Sequence, residues 1–277
     1  MSQLPPPSVR QTRLGYRGEE LVSGERAIPE ETPVALTYDG TTYAVMMATP
    51  ADLADFAIGF TLTEGICASA GEIEGPEIVS SDAGIEVRMW IPPERGEAVV
   101  ARRRALTGPV GCGLCGIDSL AAAKTPLPHV TADPGVTLAM ISDAVAALPA
   151  AQPLSLETRA VHAAGFWTPG AGLVAVREDV GRHNALDKLA GALAGKGVDP
   201  ASGVLLLTSR VSVELIQKAA RIGVGVLAAI SAPTALAVRE AEAANITLIA
   251  VARADGFEIF THPERLASGP TTRTATR

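Results

Sequence analysis

The sequence predicts an α/β protein: a smaller N-terminal α+β part built on hairpins, then a layered α/β sheet. Three observations carry this. In the C-terminal half, the short apolar runs Leu173–Arg177, Val204–Leu207, Val224–Ile230 and Ile246–Val251 alternate with helical stretches at Arg182–Leu193, Ser212–Ile222 and Pro233–Ala244. Such alternation implies a mainly parallel sheet covered by helices. In the N-terminal half, Asp39-Gly40 joins Val34–Tyr38 to Thr41–Ala48, and Asp82-Ala83-Gly84 joins Glu77–Ser81 to Ile85–Trp90, both hairpin signals. Finally, 277 residues at 47% hydrophobic content suffice for one large or two modest domains with buried cores.

Charge and cysteine content narrow the class. A formal charge of −7 counts against a general nucleic-acid binder. Three cysteines make no disulfide framework and fit a reducing compartment, so a cytoplasmic location is expected. Met1–Arg13 holds three consecutive prolines and no apolar core, unlike a signal peptide. Residues 1–18 and 267–277 are expected to be disordered tails. The apolar run Ile222–Val238 is broken by Ser231, Pro233 and Thr234, and reads as a buried strand turning into a helix, not a membrane span.

Taken in order, Thr49-Pro50-Ala51-Asp52 opens a helix, with threonine as cap and proline in the first turn. Leu53, Phe56 and Phe60 share its apolar face, Gly65 stops it, and Asp52, Asp55 and Glu64 form a solvated face. Cys67 reads as a small buried hydrophobe. The helical stretch Glu94–Leu106 ends in Arg102-Arg103-Arg104. These arginines either complement the helix dipole or draw an anion toward nearby thiols. Lys124–Pro134, with three prolines, marks the passage from a domain at 19–125 to one at 126–266. Thr137–Leu148 forms an amphipathic helix, and Thr158–Thr168 is partly strand.

Two chemical constellations stand out. Gly111-Cys112-Gly113-Leu114-Cys115-Gly116 sets two thiols in a frame of glycines, where the backbone can loop sharply. A C-x-x-C pair suits soft metal ligation, dithiol–disulfide exchange or sulfur carriage. No second cysteine pair completes a structural zinc site, so no metal is expected. Every histidine lies after the cysteines, which removes the ligand order of a zinc deaminase. Thioredoxin-type exchange stays open, although that pair belongs between a strand and a helix of a smaller domain. The second constellation is polar residues gathered at strand-to-helix turns: Arg177, Asp179, Gly181, Arg182, His183 and Asn184 after one strand, Ser209 and Arg210 after the next. Parallel strands would bring these turns to one sheet edge, where helix N-termini and arginines bind an anion such as a nucleotide.

Several of these stretches resemble the FdhD family of formate dehydrogenase accessory sulfurtransferases. They are the glycine–cysteine loop, Thr49–Leu53 with Phe60–Gly65, Val161–Ala164, Arg177–Lys188, Thr208–Ser212 and Ser231–Thr234. The resemblance spans Glu19 to Leu266 and departs only where Phe260 stands in place of a frequent tyrosine. It implies that Cys112 bears a persulfide received from a cysteine desulfurase and that Cys115 assists. Sulfur would then pass to the molybdenum bis(molybdopterin guanine dinucleotide) cofactor of formate dehydrogenase. A cytidine-deaminase-like C-terminal domain and a homodimer are implied too. So is guanine dinucleotide binding by Phe257, Glu258, Ile259, Phe260, Thr261 and His262. A thiol oxidoreductase and a non-catalytic cofactor chaperone are the alternatives.

Overall fold

The computed structural model describes residues 3–96 and 127–266. The Cys112–Cys115 pair, the three arginines before it and the C-terminal tail lie outside the described residues.

The first body is a four-stranded sheet in the order β4-β3-β6-β5, covered by helix α1. Its strands are β3 (Thr32–Tyr38), β4 (Thr41–Ala48), β5 (Glu74–Ser81) and β6 (Gly84–Trp90), and α1 runs Leu53–Thr63. The β3–β4 turn uses Asp39 at φ 48° and Gly40 at φ 76°, the paired positive angles that a two-residue hairpin requires. Val34, Leu36, Val87 and Met89 alternate onto the face where α1 lays Leu53, Phe56 and Phe60. Gly65, at φ 67°, ends the helix as expected, with the Ile66 amide reaching back to the Thr61 carbonyl.

The second body is a six-stranded sheet in the order β12-β11-β10-β9-β7-β8. These strands are β7 (His162–Thr168), β8 (Gly172–Asp179), β9 (Val204–Leu207), β10 (Val226–Ala229), β11 (Thr247–Arg253) and β12 (Gly256–Ile259). Helices α2 (Leu138–Ala147) and the short α3 (Pro153–Thr158) precede it; α4 (Arg182–Lys196), α5 (Val213–Arg221) and α6 (Ala235–Ala243) are interleaved with its strands. Alternate residues of each central strand enter separate cores. Leu205, Leu207 and Leu227 meet α4, α5 and α6, while Val204, Leu206 and Val226 meet Ile141 and Val145 of α2. Burial on both faces is why these strands read as unbroken apolar runs.

Two expectations need correction. The sheet is mixed: β9, β10 and β11 are parallel, whereas β7 runs against both β8 and β9, and β12 against β11. Hairpin connections impose the β7–β8 and β11–β12 pairs, and β7 is left antiparallel to β9 because β8 and β9 run the same way. The expected tail over residues 1–18 is also structured. Strand β1 (Ser8–Arg17) pairs along its whole length with β2 (Glu20–Pro29) around Gly18 and Glu19, both at positive φ. This ribbon hides in the sequence because its side chains are largely exposed, so no alternating apolar face announces it.

Helix α1 joins the two bodies by packing on α4 at two glycines. A Cβ on Gly59 would overlap the Asp187 carbonyl oxygen and come within 2.6 Å of the Gly191 amide nitrogen. A Cβ on Gly191 would fall on the Asp55 carbonyl. Backbones this close leave no room for any side chain. The acids of α1, expected to be solvated, face this junction: Arg177 forks onto Asp55 at 2.6 and 2.8 Å and lies 3.5 Å from Asp52. Glu64 takes Lys218 at 2.7 Å.

Candidate functional site

Because β7 is reversed between β8 and β9, strands β8 to β11 all point the same way, as the expected shared edge requires. The turns after β8, β9 and β10 meet there, tied by Val211 bridging Pro233 and by the Thr208 amide donating to the Ala163 carbonyl. His162 opens β7 at this edge, in register with Asp179.

Helix α4 begins here with Gly181 as its cap, and Ala185 is the first amide to find an intrahelical carbonyl. The amides of Arg182, His183 and Asn184 therefore lack intrahelical acceptors at a positive dipole end. The Arg182 Nε is buried with no hydrogen-bond partner. His183 stands 3.5 Å from the Ser212 hydroxyl, and its pKa is pushed down to about 4 by burial and by the Arg182 and Lys218 charges. Burial and Arg182 lower His162 as well. Both imidazoles are neutral at pH 7. Burial works against the Glu214 carboxylate, but hydrogen bonds from Ser212 and its own amide hold it below its ordinary range. Arg210 is exposed, while Ser209 is buried and donates to the Arg210 carbonyl at 3.2 Å. The edge thus offers donors and guanidinium charge to an anion.

Other expected ligand residues are committed to the protein itself. Asp179 is fully buried and accepts from the Thr49 amide at 3.0 Å, the Gly181 amide at 2.8 Å and Asn184 Nδ2 at 3.0 Å. It also pairs with Lys188 at 2.6 Å. Asn184 donates a second time, to the Met47 carbonyl at 2.9 Å. Thr49, expected to cap α1, clamps the bodies instead, its hydroxyl receiving the Val180 amide at 3.1 Å and its carbonyl receiving Lys188 at 2.8 Å. Sequence reading missed a second clamp. Buried Lys218 holds Asp187 at 2.8 and 3.1 Å, Glu64 at 2.7 Å and Thr63 at 3.0 Å. The available signal was a charge on otherwise buried helix positions: Asp187 between Leu186 and Leu189, and Lys218 beside Ala219.

The stretch Phe257–His262 does not join the Arg182 cluster. Its first three residues, Phe257 to Ile259, belong to β12, five strand spacings from β8, or about 24 Å. It starts near the polar edge and runs back toward the opposite one. There Thr261 donates to the Ile246 carbonyl at 2.6 Å and accepts from the Leu248 amide at 2.9 Å. His262, at φ 48°, contacts Glu264 at 3.1 Å and the Glu242 carbonyl at 3.0 Å. Glu258 and Phe260 are exposed, and Phe257 and Ile259 half-buried.

A cleft of about 560 Å³ lies between the two bodies. Leu62, Ala190, Ala194 and Ile222 give it apolar walls, and Arg95 and Arg221 give it charge. Pro128 completes the lining on the side of the second body. Cys67 also borders it, and burial with Glu72 nearby pushes its thiol up to about 11, an inert and protonated state.

Fold and site together define a two-body α/β protein with an anion-suited strand edge and a separate interdomain cleft. Residues 29–267 match the FdhD/NarQ family, and the chain belongs to that family. It is similar to the sulfur carrier protein FdhD of Agrobacterium fabrum, 52% identical over 93% of this chain and 95% of that one. The protein of the same description from Brucella abortus is 54% identical over 91% of this chain and 94% of its own length. A crystal structure of a putative formate dehydrogenase accessory protein from Desulfotalea psychrophila shares the fold at 24% identity. Its TM-score is 0.72, covering 94% of this chain and all of that one.

Proposed function

We propose that this chain is a sulfur carrier that takes sulfane sulfur from a cysteine desulfurase and delivers it to the molybdenum bis(molybdopterin guanine dinucleotide) cofactor destined for formate dehydrogenase. The observation that supports this most is kinship: relatives more than half identical over nine-tenths of the chain are named sulfur carrier proteins. In this reading Cys112 thiolate attacks the outer sulfur of the desulfurase persulfide. A Cys112 persulfide forms and the desulfurase thiolate leaves. Attack by Cys115 on the Cys112 Sγ then releases hydrosulfide to the cofactor and closes a 112–115 disulfide, which a cellular dithiol reduces.

The polar strand edge is the proposed seat for the cofactor's phosphates. Arg182, His183, Arg210 and the α4 amides supply donors. Phe257–His262 would contact a guanine half from the sheet's far strand. The resemblance to the family also implies a homodimer, in which each chain would bring its own strand edge to the cofactor. Delivery would take place in the cytoplasm, and no helix among the described residues is long and apolar enough to cross a membrane.

The test is incubation with a desulfurase and cysteine, followed by mass spectrometry. A 32-dalton gain on Cys112 is expected, roughly one sulfur atom on the nucleophilic thiolate. Cys112→Ala should abolish activation of the dehydrogenase. Full activation by that variant overturns sulfur carriage and favours a chaperone that only holds the cofactor.

A further inference from the structure

Beneath the β1–β2 ribbon, against the end of α3, lies a concavity of about 410 Å³ lined by Arg13, Arg17, Arg26, Arg159, Glu25 and Glu157. We propose that it is a separate anion site taking a phosphate or diphosphate group. None of its residues belongs to the strand edge or the cleft, and Arg13, Arg17, Glu25 and Arg26 of the ribbon precede residues 29–267, the stretch matched to the family.

Four guanidiniums against two carboxylates make the concavity doubly positive, on a chain whose formal charge is −7. Among the described residues, no ion pair involves any of the four arginines. Unpaired cations gathered this way repel one another until an anion arrives, and the guanidinium fork matches phosphate oxygens in pairs.

The arginines are also placed by specific local devices. Arg13 lies opposite Gly24, with Gly15 on the same ribbon face. A Cβ on Gly15 would strike the Arg13 guanidinium, so the missing side chain makes its bed. Arg26 is steered by donation to the Thr158 carbonyl at 3.2 Å. Arg159 ends α3 at φ 56°, left-handed backbone that an arginine adopts only at a cost. Of the carboxylates, Glu157 already accepts from the Ser8 hydroxyl at 3.0 Å. A compact anion fits between ribbon and helix, whereas the carboxylates of an acidic peptide would meet Glu25 and Glu157 on the way in.

The test is titration calorimetry of the full chain with inorganic pyrophosphate at about 0.15 M salt, where weak surface attraction is screened. An Arg182→Ala background removes the strand edge from the reading. Binding should persist in that background and fall at least tenfold on adding Arg159→Gly, which suits the left-handed backbone and keeps the fold. Arg13→Gln should weaken it similarly. The proposal is overturned if pyrophosphate does not bind, or if binding vanishes with Arg182→Ala alone. It also fails if Arg159→Gly and Arg13→Gln both leave the affinity unchanged, or if an oligoglutamate binds where pyrophosphate does not.

Discussion

The stretch Arg177–Lys188 supplies both the open strand edge and the closed seam between the bodies, and the two regions use charge in opposite ways. At the seam, Asp179, Asp187, Lys188 and Lys218 are buried and each acid has its base within 2.8 Å. At the edge, only three residues beyond Asp179, Arg182 keeps a buried nitrogen without a partner and His183 stays neutral. The seam spends its charges on holding the molecule together; the edge holds them in reserve for something else. A substitution should therefore cost stability in one region and ligand binding in the other.

The sharpest break of that contrast is Lys218→Met. It strands Asp187 in a buried site, where burial already raises its pKa despite Lys218. A loss of about 3–5 kcal/mol is expected, read by urea denaturation. Adding Asp187→Leu should recover much of it, since an apolar pair can replace a buried ion pair. If the single variant is as stable as the parent, the seam does not depend on its buried charges.

A smaller effect comes from pH. The folded pKa of His183 is depressed to about 4 while its unfolded value is the ordinary one, so the unfolded chain binds the extra proton between roughly pH 6.5 and 4. Stability should be fully present above pH 6.5 and fall through that window by about 3 kcal/mol, with His162 adding in the same direction. His183→Gln should flatten the slope. An unchanged slope would mean that the imidazole is not desolvated at the edge.

The smallest stability effect is expected from Arg182→Ala, about 0.5 kcal/mol or less by thermal melting, because no seam contact is lost. Its affinity for GDP, a stand-in for half the proposed cofactor, should nevertheless fall about tenfold. A variant that unfolds, or one that binds GDP as before, would erase the distinction between edge and seam.

How much of this could be read in advance depended on whether a residue's partner was local. Asp39-Gly40 and Gly65 act within a few residues and were legible as turn and helix-stop signals. So were β9 to β11, because burial on both faces leaves a compositional trace. Partners far along the chain left none. Asp55 looks solvated until Arg177 arrives from 122 residues away, and Thr49 looks like a cap until Asp179 claims its amide. The direction of β7 and β12 is set by the short hairpins that join them to β8 and β11, which an alternation of apolar runs and helices does not reveal. At the edge, the turns and their clustering were foreseeable from strand order. Which of their side chains are committed to the protein was not, since the Thr49 amide and Lys188 that claim Asp179 are brought to it only by the fold.

The crossing at Gly59 and Gly191 has a consequence for how the protein can be divided. With backbone against backbone at that point, each half of the chain carries an imprint of the other. Severed from its companion, the first half would show a bare helical strip flanked by carboxylates, and the second an unmatched groove holding two lysines. The bodies look like separate modules in their strand order, yet they can be inherited, exchanged or engineered only as a pair.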